Sequence, residues 1–185
     1  MKISLIQSNC SSINSIYIFE NFLEDLQYLE VLKNKIAQKT NKSNELDYKT
    51  NVKGKMTDWT ELLKDEDFKK IHISIAENLY NVINLRNPCA NQKIKIGYED
   101  SWGMKHDEGD HTVDHIHNFC NFSGSFYFEV PTATLMWFED YQQDLELKNN
   151  MLVLFPALCK HRVSMHKGEK PRYSMAFNMK LEVVD

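Results

Sequence analysis

At 185 residues, 42% of them hydrophobic, the chain has the size and composition of one globular domain that builds its core without disulfides. Its net charge of −4, from 22 basic and 26 acidic residues, gives no electrostatic basis for broad nucleic-acid binding, so no nucleic-acid partner is predicted. The N-terminus has only a very short apolar run, and no stretch approaches the ~18 apolar residues of a membrane helix, so neither a signal peptide nor a membrane span is expected.

The first part of the chain predicts helices. After a short strand at residues 3–6, apolar side chains recur at helical intervals from Phe22 to Ile36. That periodicity predicts a helix over residues 22–37, with one face turned to the core.

A Lys- and Asn-rich segment at residues 39–55 shows no periodicity. It either stays mobile or orders over a substrate. Thr57 and Asp58 then have the residue types of an N-cap, and acidic residues follow in the first turn. A second helix is therefore expected to begin there and to continue, with a break, to a stop near residues 87–88.

From Gln92 onward the chain is expected to be all-β. Short runs rich in aromatic and aliphatic residues are separated by turn signals that contain Gly, Pro or Asn. Seven or eight strands without intervening helices predict an antiparallel sandwich or barrel, with two helices covering one sheet from outside. The predicted fold is mainly β with N-terminal helices (α+β). It forms one domain over residues 1–185, with a helical support at 1–90 and the β core at 93–185.

Six of the seven histidines lie between His106 and His166. His115 and His117 point to the same face of an extended strand, and His161 lies in a later strand, from which it can close a three-ligand site. Such a facial site leaves three positions open, as an iron centre needs for a bidentate co-substrate and O₂. The plain alternative is that these imidazoles serve only as hydrogen-bonding groups.

The remaining histidines and acids of this region are expected to lie outside the site. Surface or loop positions are predicted for His106, His111 and His166, and a solvated, turn-like stretch for Asp107, Asp110 and Asp114. In a regular strand Asp114 faces away from its neighbour His115, so it becomes a ligand only if the strand is bulged.

Arg172 and Ser174 share one strand face, eleven residues beyond His161. A planar guanidinium matches a carboxylate bidentately, and the serine hydroxyl adds a further hydrogen bond. Tyr127 offers a phenol from another strand. These groups suit the far carboxylate of a dicarboxylate whose 2-oxo acid end chelates the metal. The plain alternative for an arginine after a Lys-Pro turn is an ordinary surface charge.

The ordered set of motifs resembles the 2-oxoglutarate/Fe(II)-dependent oxygenases, most closely a small bacterial and phage group. The motifs are Trp102; His115-Ile116-His117; Ser123-Gly124 with Tyr127 and Pro131; Leu152 to Pro156; His161 with Val163; and Arg172 with Ser174, Phe177 and Asn178. The match covers about residues 98–180, half of the chain. The resemblance implies a double-stranded β-helix, a jelly-roll of two four-stranded sheets with iron between them.

The resemblance also implies residue roles. His115, His117 and His161 occupy the Fe(II) ligand positions, and Arg172 with Ser174 occupies the position that binds the 2-oxoglutarate carboxylate. Tyr127 resembles the tyrosine that contacts the co-substrate in prolyl-hydroxylase-like members. The wider superfamily has His-x-Asp or His-x-Glu, whereas this chain has His-x-His. No catalytic residue beyond the metal ligands is implied.

The implied activity is that of a dioxygenase, an oxidoreductase that uses O₂ and 2-oxoglutarate, hydroxylates an unidentified substrate, and releases succinate and CO₂. Some aromatic and apolar residues either line its pocket or, as is more common for aromatic residues at strand spacing, form plain core: Phe119, Phe126, Phe128, Trp137 and Met175. Two alternatives stay open. One is a cupin-like, three-histidine metalloenzyme that does not use 2-oxoglutarate, and the other is a non-catalytic β-sandwich that serves as a binding module.

The cysteine pattern bears on the cellular compartment. The four cysteines Cys10, Cys89, Cys120 and Cys159 form no CxxC pattern and no close pair. A chain of this length does not need disulfides, so reduced thiols and a cytoplasmic location are expected.

Overall fold

The structure, a computed structural model, describes residues 2–7, 15–42, 50–86 and 93–184. The strands are β1 (Lys2–Gln7), β2 (Ser15–Glu20), β3 (Val52–Lys53), β4 (Lys55–Met56), β5 (Lys93–His106), β6 (His111–His115), β7 (Phe122–Glu129), β8 (Leu135–Phe138), β9 (Gln143–Glu146), β10 (Met151–Pro156), β11 (His161–Val163) and β12 (Arg172–Val184). The helices are α1 (Leu26–Lys42) and α2 (Lys69–Arg86), with 3-10 helices at Glu66–Phe68 and Glu139–Tyr141.

The described strands form two sheets. The larger sheet has seven strands in the order β1-β2-β10-β7-β12-β5-β4, and the smaller has five in the order β3-β6-β11-β8-β9. Every pairing between these strands is antiparallel. This architecture is a double-stranded β-helix preceded by helices, so the predicted fold class is confirmed.

Alternation along β12 divides the larger sheet between two environments. Met175, Phe177 and Met179 pack in the core that lies between this sheet and the helices. Ser174 and Ala176 face the other way and line a pocket between the two sheets. One face of the sheet therefore stabilises the fold, while the other positions polar groups.

Both helices bury one face at intervals of three or four residues: Leu29, Leu32 and Ile36 in α1, and Ile71, Ile75 and Leu79 in α2. The helix predicted over residues 22–37 begins at Leu26 instead of Phe22. The reason is local, since the Asp25 side chain accepts hydrogen bonds from two backbone N–H groups of the first turn.

The second helix does not begin at residues 57–58 as predicted. The Thr57 N–H donates to Gly103 O at 3.0 Å, and Thr57 Oγ1 accepts from Gly103 N–H at 3.0 Å, so this segment is tied to β5. The α2 helix begins at Lys69, after a 3-10 turn that Asp65 caps. Thr57 has a residue type that favours an N-cap, but here it joins a loop to a strand.

The polar segment predicted at residues 39–55 is only partly described. Residues up to Lys42 belong to α1, whereas residues 43–49 lie outside the described residues, as does the helix stop expected near 87–88. Beyond the gap, β3 pairs with β6 and β4 pairs with β5. The last part of the segment is therefore an edge of both sheets.

The strand predicted at residues 3–6 is β1. The sequence did not predict β2, which lies between β1 and β10 and is buried along nearly its whole length. The first part of the chain thus supplies strands as well as helices. The assignment of residues 1–185 to one domain, with a support at 1–90 and a core at 93–185, stays a prediction.

Two of the four cysteines lie in the described part of the chain, where Cys120 and Cys159 are free. Burial raises the pKa of the Cys120 thiol to about 11 and that of the Cys159 thiol to about 12, so both are protonated at neutral pH. Cys10 and Cys89 lie outside the described residues. None of the described helices has the length and apolar character of a membrane span, and the cytoplasmic location stays a prediction.

Candidate active site

Three histidines meet between the two sheets. His115 ends β6 and lies directly opposite His161 in the β6–β11 pairing. His117 follows β6, and its backbone N–H donates to Ala157 O at 2.8 Å, which holds it beside the end of β10. The ring centroids are 4.2 Å apart for His115 and His161, 4.9 Å for His115 and His117, and 5.3 Å for His117 and His161. One ring nitrogen from each lies within 4.8 Å of the others.

Backbone carbonyls orient two of these rings. His115 Nδ1 is 2.8 Å from Val113 O, and His161 Nδ1 is 2.9 Å from Cys159 O. A carbonyl only accepts, so in both residues Nδ1–H is the donor and Nε2 carries the lone pair. This is the arrangement by which an outer hydrogen bond fixes the tautomer of a metal-binding histidine.

Burial keeps the three imidazoles neutral. Desolvation lowers the pKa of His115, lowers that of His117 to about 3, and places that of His161 well below its usual value. The neighbouring imidazoles add to this effect at His117 and His161, because a charge on one ring disfavours a charge on the next. Three neutral nitrogen donors that converge on one point suit a borderline divalent transition metal ion.

Arg172 brings a buried positive charge to the same region. It begins β12 with 1% of its surface exposed. Nη1 donates to Thr134 Oγ1 at a long 3.4 Å. Among the described residues, Nε and Nη2 have no hydrogen-bond partner, so no carboxylate bonds to them. Desolvation lowers the pKa of Arg172, an effect that Tyr127 and Asp110 oppose. A buried guanidinium with so few partners lowers the stability of the folded protein unless an anion pairs with it.

Ser174 and Tyr127 lie opposite each other in the β12–β7 pairing. The Tyr127 hydroxyl is buried, with a weak contact to Met136 Sδ at 3.9 Å and a hydrogen bond with the Ser125 side chain. Burial raises the pKa of Tyr127 to about 12, although the nearby Arg172 charge and the Ser125 hydroxyl oppose the rise. The phenol therefore stays a protonated hydrogen-bond donor.

These groups line one cavity, the central pocket. Its walls are Val52, Trp102, Met104, His106, Thr112, His115, His117, Ser123, Ser125, Tyr127, Met136, His161, Val163, Arg172, Ser174 and Ala176. The space free of protein atoms is about 440 Å³, part of it open to solvent. All six residues predicted as metal ligands or as co-substrate contacts are thus brought into one pocket.

None of the five residues considered as pocket lining or as plain core lines the central pocket. Phe126, Phe128 and Met175 belong to the core on the helix side of the larger sheet. They are sequence neighbours of Tyr127 and Ser174, so strand alternation turns them away from the pocket. Phe119 is 90% exposed, and Trp137 lies under the Arg162 guanidinium at 5.6 Å. The apolar walls come instead from Val52, Trp102, Met104 and Met136, among others.

Two further histidines are buried against expectation: His106 lies in a strand, whereas His166 lies in a loop, as predicted, but is not at the surface. His106, predicted at the surface or in a loop, ends β5 fully buried and lines the central pocket. The available signal was its alternation with Trp102 and Met104, which line the same pocket. His166 is also buried, and its Nε2 lies 2.7 Å from Lys170 O, which indicates a structural role. His111 is partly exposed at the start of β6.

The acidic residues of this stretch lie away from the metal ligands. Asp114 faces outward as predicted, with its side chain 43% exposed and 3.3 Å from Arg162 Nη1. Asp107 and Asp110 lie in a turn, where Asp110 Oδ2 accepts from the Asp107 N–H at 2.8 Å. No carboxylate joins the three-histidine cluster among the described residues.

No family model matches the chain, and no curated protein matches its sequence. Solved structures do resemble it in fold. A Pseudomonas putida prolyl-4-hydroxylase aligns at a TM-score of 0.65 with 13% identity, covering 90% of this chain and 93% of its own. The viral collagen prolyl hydroxylase of Paramecium Bursaria Chlorella virus-1, in its 2OG complex, aligns at 0.63 with 14% identity, covering 89% and 94%.

A third similar structure is the epimerase SnoN in complex with Fe3+, alpha ketoglutarate and nogalamycin RO. It aligns at a TM-score of 0.68 with 9% identity, covering 93% of this chain and 82% of its own. At identities this low the likeness establishes a common fold. It extends over the helices as well as the strands, because nine tenths of the chain takes part.

Proposed function

We propose that this chain is an oxygenase that uses iron(II) and 2-oxoglutarate. One observation carries the proposal: a single pocket holds three neutral imidazoles and a buried guanidinium that has no ion-pair partner among the described residues. The imidazoles suit a transition metal, and the guanidinium requires an anion. A 2-oxo diacid meets both demands, since its keto acid end chelates a metal while its other carboxylate remains free.

In this proposal His115, His117 and His161 each bind the metal through one ring nitrogen. The carbonyls of Val113 and Cys159 hold two of the rings in the required tautomer. The chemistry that bound iron(II) supplies is activation of O₂, which couples oxidation of 2-oxoglutarate to succinate and CO₂ with hydroxylation of a C–H bond in a substrate not yet identified.

Arg172, Tyr127 and Ser174 bind the far carboxylate of the co-substrate. Arg172 has two nitrogens free for a bidentate contact, and Tyr127 keeps its proton and donates. These contacts are buried, so they are little screened by water and hold the co-substrate in one orientation. The apolar side chains of Trp102, Met104 and other pocket residues limit the entry of water.

The structural neighbours support this proposal through what they bind. The viral prolyl hydroxylase is in complex with 2OG, and the epimerase is in complex with Fe3+ and alpha ketoglutarate. Two of the neighbours are prolyl hydroxylases, whereas the third is an epimerase that acts on a different class of molecule. The fold alone therefore does not indicate the substrate.

A second candidate is a three-histidine metalloenzyme that does not use 2-oxoglutarate. It is favoured by His117, which stands where the wider superfamily has a carboxylate and leaves the metal with only neutral ligands. This candidate gives Arg172 no role in binding. A substitution of Arg172 therefore distinguishes the two candidate functions.

The test is an anaerobic titration of the apo protein with Fe(II), with and without 2-oxoglutarate, followed by the visible charge-transfer absorption of the chelate. We expect absorption only when both are present. It should disappear in His161→Ala, because a ligand is lost, and in Arg172→Met, because the far carboxylate loses its cation. Arg162→Met is the matched control, since Arg162 is exposed and pairs with Asp114 outside the pocket.

In air, the wild-type protein should also release succinate and labelled CO₂ from labelled 2-oxoglutarate, while Arg172→Met should not. Metal binding without the absorption band would favour the second candidate. Failure of the wild-type protein to bind metal would leave a β-sandwich binding module whose histidines are structural.

A further inference from the structure

His106 and Arg172 occupy directly opposite positions in the pairing of β5 with β12. Side chains at opposite positions of an antiparallel pair lie on the same face, with Cβ atoms about 4.5–5.5 Å apart. Both side chains line the central pocket, and each is 1% exposed. The end of the pocket at Arg172 therefore has a second polar wall.

Neither ring nitrogen of His106 has a hydrogen-bond partner among the described residues. Nε and Nη2 of Arg172 also have no hydrogen-bond partner, so these atoms do not bond to the His106 ring. A buried polar group without a partner destabilises a fold, and such groups are uncommon in native proteins. Four such unpartnered nitrogen atoms on one pocket wall indicate that a ligand binds there.

The nature of His106 narrows the class of ligand. Burial and the Arg172 charge hold the pKa of His106 well below its usual value, so the ring is neutral and offers one N–H donor. A metal ion at this place is disfavoured by the adjacent guanidinium. An anion is favoured by it, and the neutral N–H adds a donor to the site without adding a charge.

The donors at this end of the pocket suit a carboxylate. Arg172 offers Nε and Nη2, Tyr127 and Ser174 offer hydroxyls, and His106 offers one N–H. An ionised carboxylate only accepts, through about four lone-pair sites on its two oxygens. A carboxylate bound here would take hydrogen bonds from this set of donors and neutralise the buried charge of Arg172.

We propose that His106 donates a ring N–H to the far carboxylate of the co-substrate and thereby helps the pocket to select a 2-oxo diacid over a 2-oxo monoacid. This inference rests on the proposed function and deepens it, because it names a selectivity residue that belongs to none of the predicted sets. Gly54 of the β3–β4 segment lies against the His106 ring: a Cβ on Gly54 would be 3.2 Å from His106 Cδ2. The absence of a side chain at Gly54 therefore leaves room for the His106 ring.

The test compares two co-substrates of equal chain length, 2-oxoglutarate and 2-oxopentanoate, of which only the first has the far carboxylate. Their affinities for the Fe(II)-loaded protein are measured anaerobically from the charge-transfer absorption. His106→Leu should weaken 2-oxoglutarate by about ten- to a hundredfold, the worth of one hydrogen bond to a charged group. It should leave the affinity for 2-oxopentanoate and for Fe(II) within about twofold of wild type.

His106→Gln, which keeps an N–H donor, should recover part of the loss, and it provides the same comparison if His106→Leu does not fold. His111→Leu, outside the pocket lining, is the matched control. Equal weakening of both co-substrates, or no weakening of 2-oxoglutarate, would overturn the role of His106. A wild-type protein that binds Fe(II) but gives no absorption with 2-oxoglutarate would overturn the proposed function itself, and this inference with it.

Discussion

His72 lies on the buried face of α2, where its ring packs against Tyr98 at 4.7 Å between centroids and its Nε2 is 3.0 Å from Ser101 Oγ. Desolvation lowers its pKa from 6.5 to about 4. The native state therefore holds His72 neutral in a pH range where the unfolded chain would protonate it. Burial is the cause of this lower pKa, and no charged partner among the described residues opposes it.

This shift predicts a pH dependence of stability. Above pH ~6.5 both states are neutral at His72, and the contribution is fully present. As the pH falls from ~6.5 toward ~4 only the unfolded state takes up the proton, so the free energy of unfolding falls, by up to about 3 kcal/mol. His72→Gln removes this term, because glutamine does not titrate.

The measurement is urea unfolding of wild type and His72→Gln between pH 7.5 and pH 4.5. The difference between the two proteins should shrink or reverse toward acid pH, because only wild type loses the His72 contribution. His111→Gln, at a partly exposed histidine of β6, is the control substitution. Parallel pH profiles for wild type and His72→Gln would contradict the buried, neutral state of His72.

The candidate site was predictable where its chemistry follows strand alternation. His115 with His117, and Arg172 with Ser174, are spaced by two residues, and each pair reaches the central pocket. For His106, alternation with Trp102 and Met104 in β5 indicated the face on which it lies. Its burial at the end of that strand depends on segments distant in sequence, such as the one that contains Gly54, and a local pattern does not report those.

At the scale of elements, β7 packs against its neighbours in the larger sheet at Gly124, a residue without a side chain. Gly124 lies opposite Leu154 of β10 and Phe177 of β12. A Cβ on Gly124 would be 2.6 Å from Phe177 Cζ and 2.8 Å from Leu154 Cδ2. The glycine thus leaves the space that the Phe177 ring fills.

Gly124→Ala should therefore destabilise the protein by roughly 1–3 kcal/mol, because the added methyl overpacks the core. Gly97→Ala in β5 is the matched control, since a Cβ there has no atom within 4 Å. Both changes reduce the backbone entropy of the unfolded chain similarly, so their difference isolates the clash. Denaturant midpoints for the two variants are the measurement, and equal midpoints would show that the core yields to the methyl group.

The order of the C-terminal strands could be predicted because their apolar runs and turn residues are distinct. β2 was missed because both of its faces are buried, Phe19 in one apolar core and Ile18 in another, so apolar side chains do not alternate with polar ones along it. The start of α2 was missed because Thr57 bonds to Gly103 of β5. Tertiary contacts overrode a local capping signal in that case.

At the scale of the whole molecule, the described residues form three clusters of buried apolar side chains. One lies between the larger sheet and the helices, and a second lies between the two sheets beside the central pocket. The third, which contains Trp102 and Met104, forms part of the wall of that pocket. The pocket carries a guanidinium and several unpartnered polar atoms, so it subtracts from the stability that the cores provide. Proteins commonly accept such a cost at a site of function.

Arg172→Met tests this balance. The methionine has a similar length and no charge, so the ligand-free protein should gain about 1–3 kcal/mol in free energy of unfolding. The same variant should lose the stabilisation by ligand: at 100 times its Kd, a ligand that binds only the native state adds about 2.7 kcal/mol to the wild type. Loss of a cation thus raises the stability of the empty protein and removes its response to the co-substrate.

Chemical denaturation of wild type, Arg172→Met and Arg162→Met gives the comparison, each measured alone, with Fe(II), and with Fe(II) plus 2-oxoglutarate, under anaerobic conditions. Arg162→Met removes an exposed arginine, so it should change the stability by less than about 0.5 kcal/mol and keep the ligand response. A ligand-free Arg172→Met protein less stable than wild type would mean that the guanidinium holds the strands together. Its burial would then have a structural origin and would not indicate that an anionic ligand binds there.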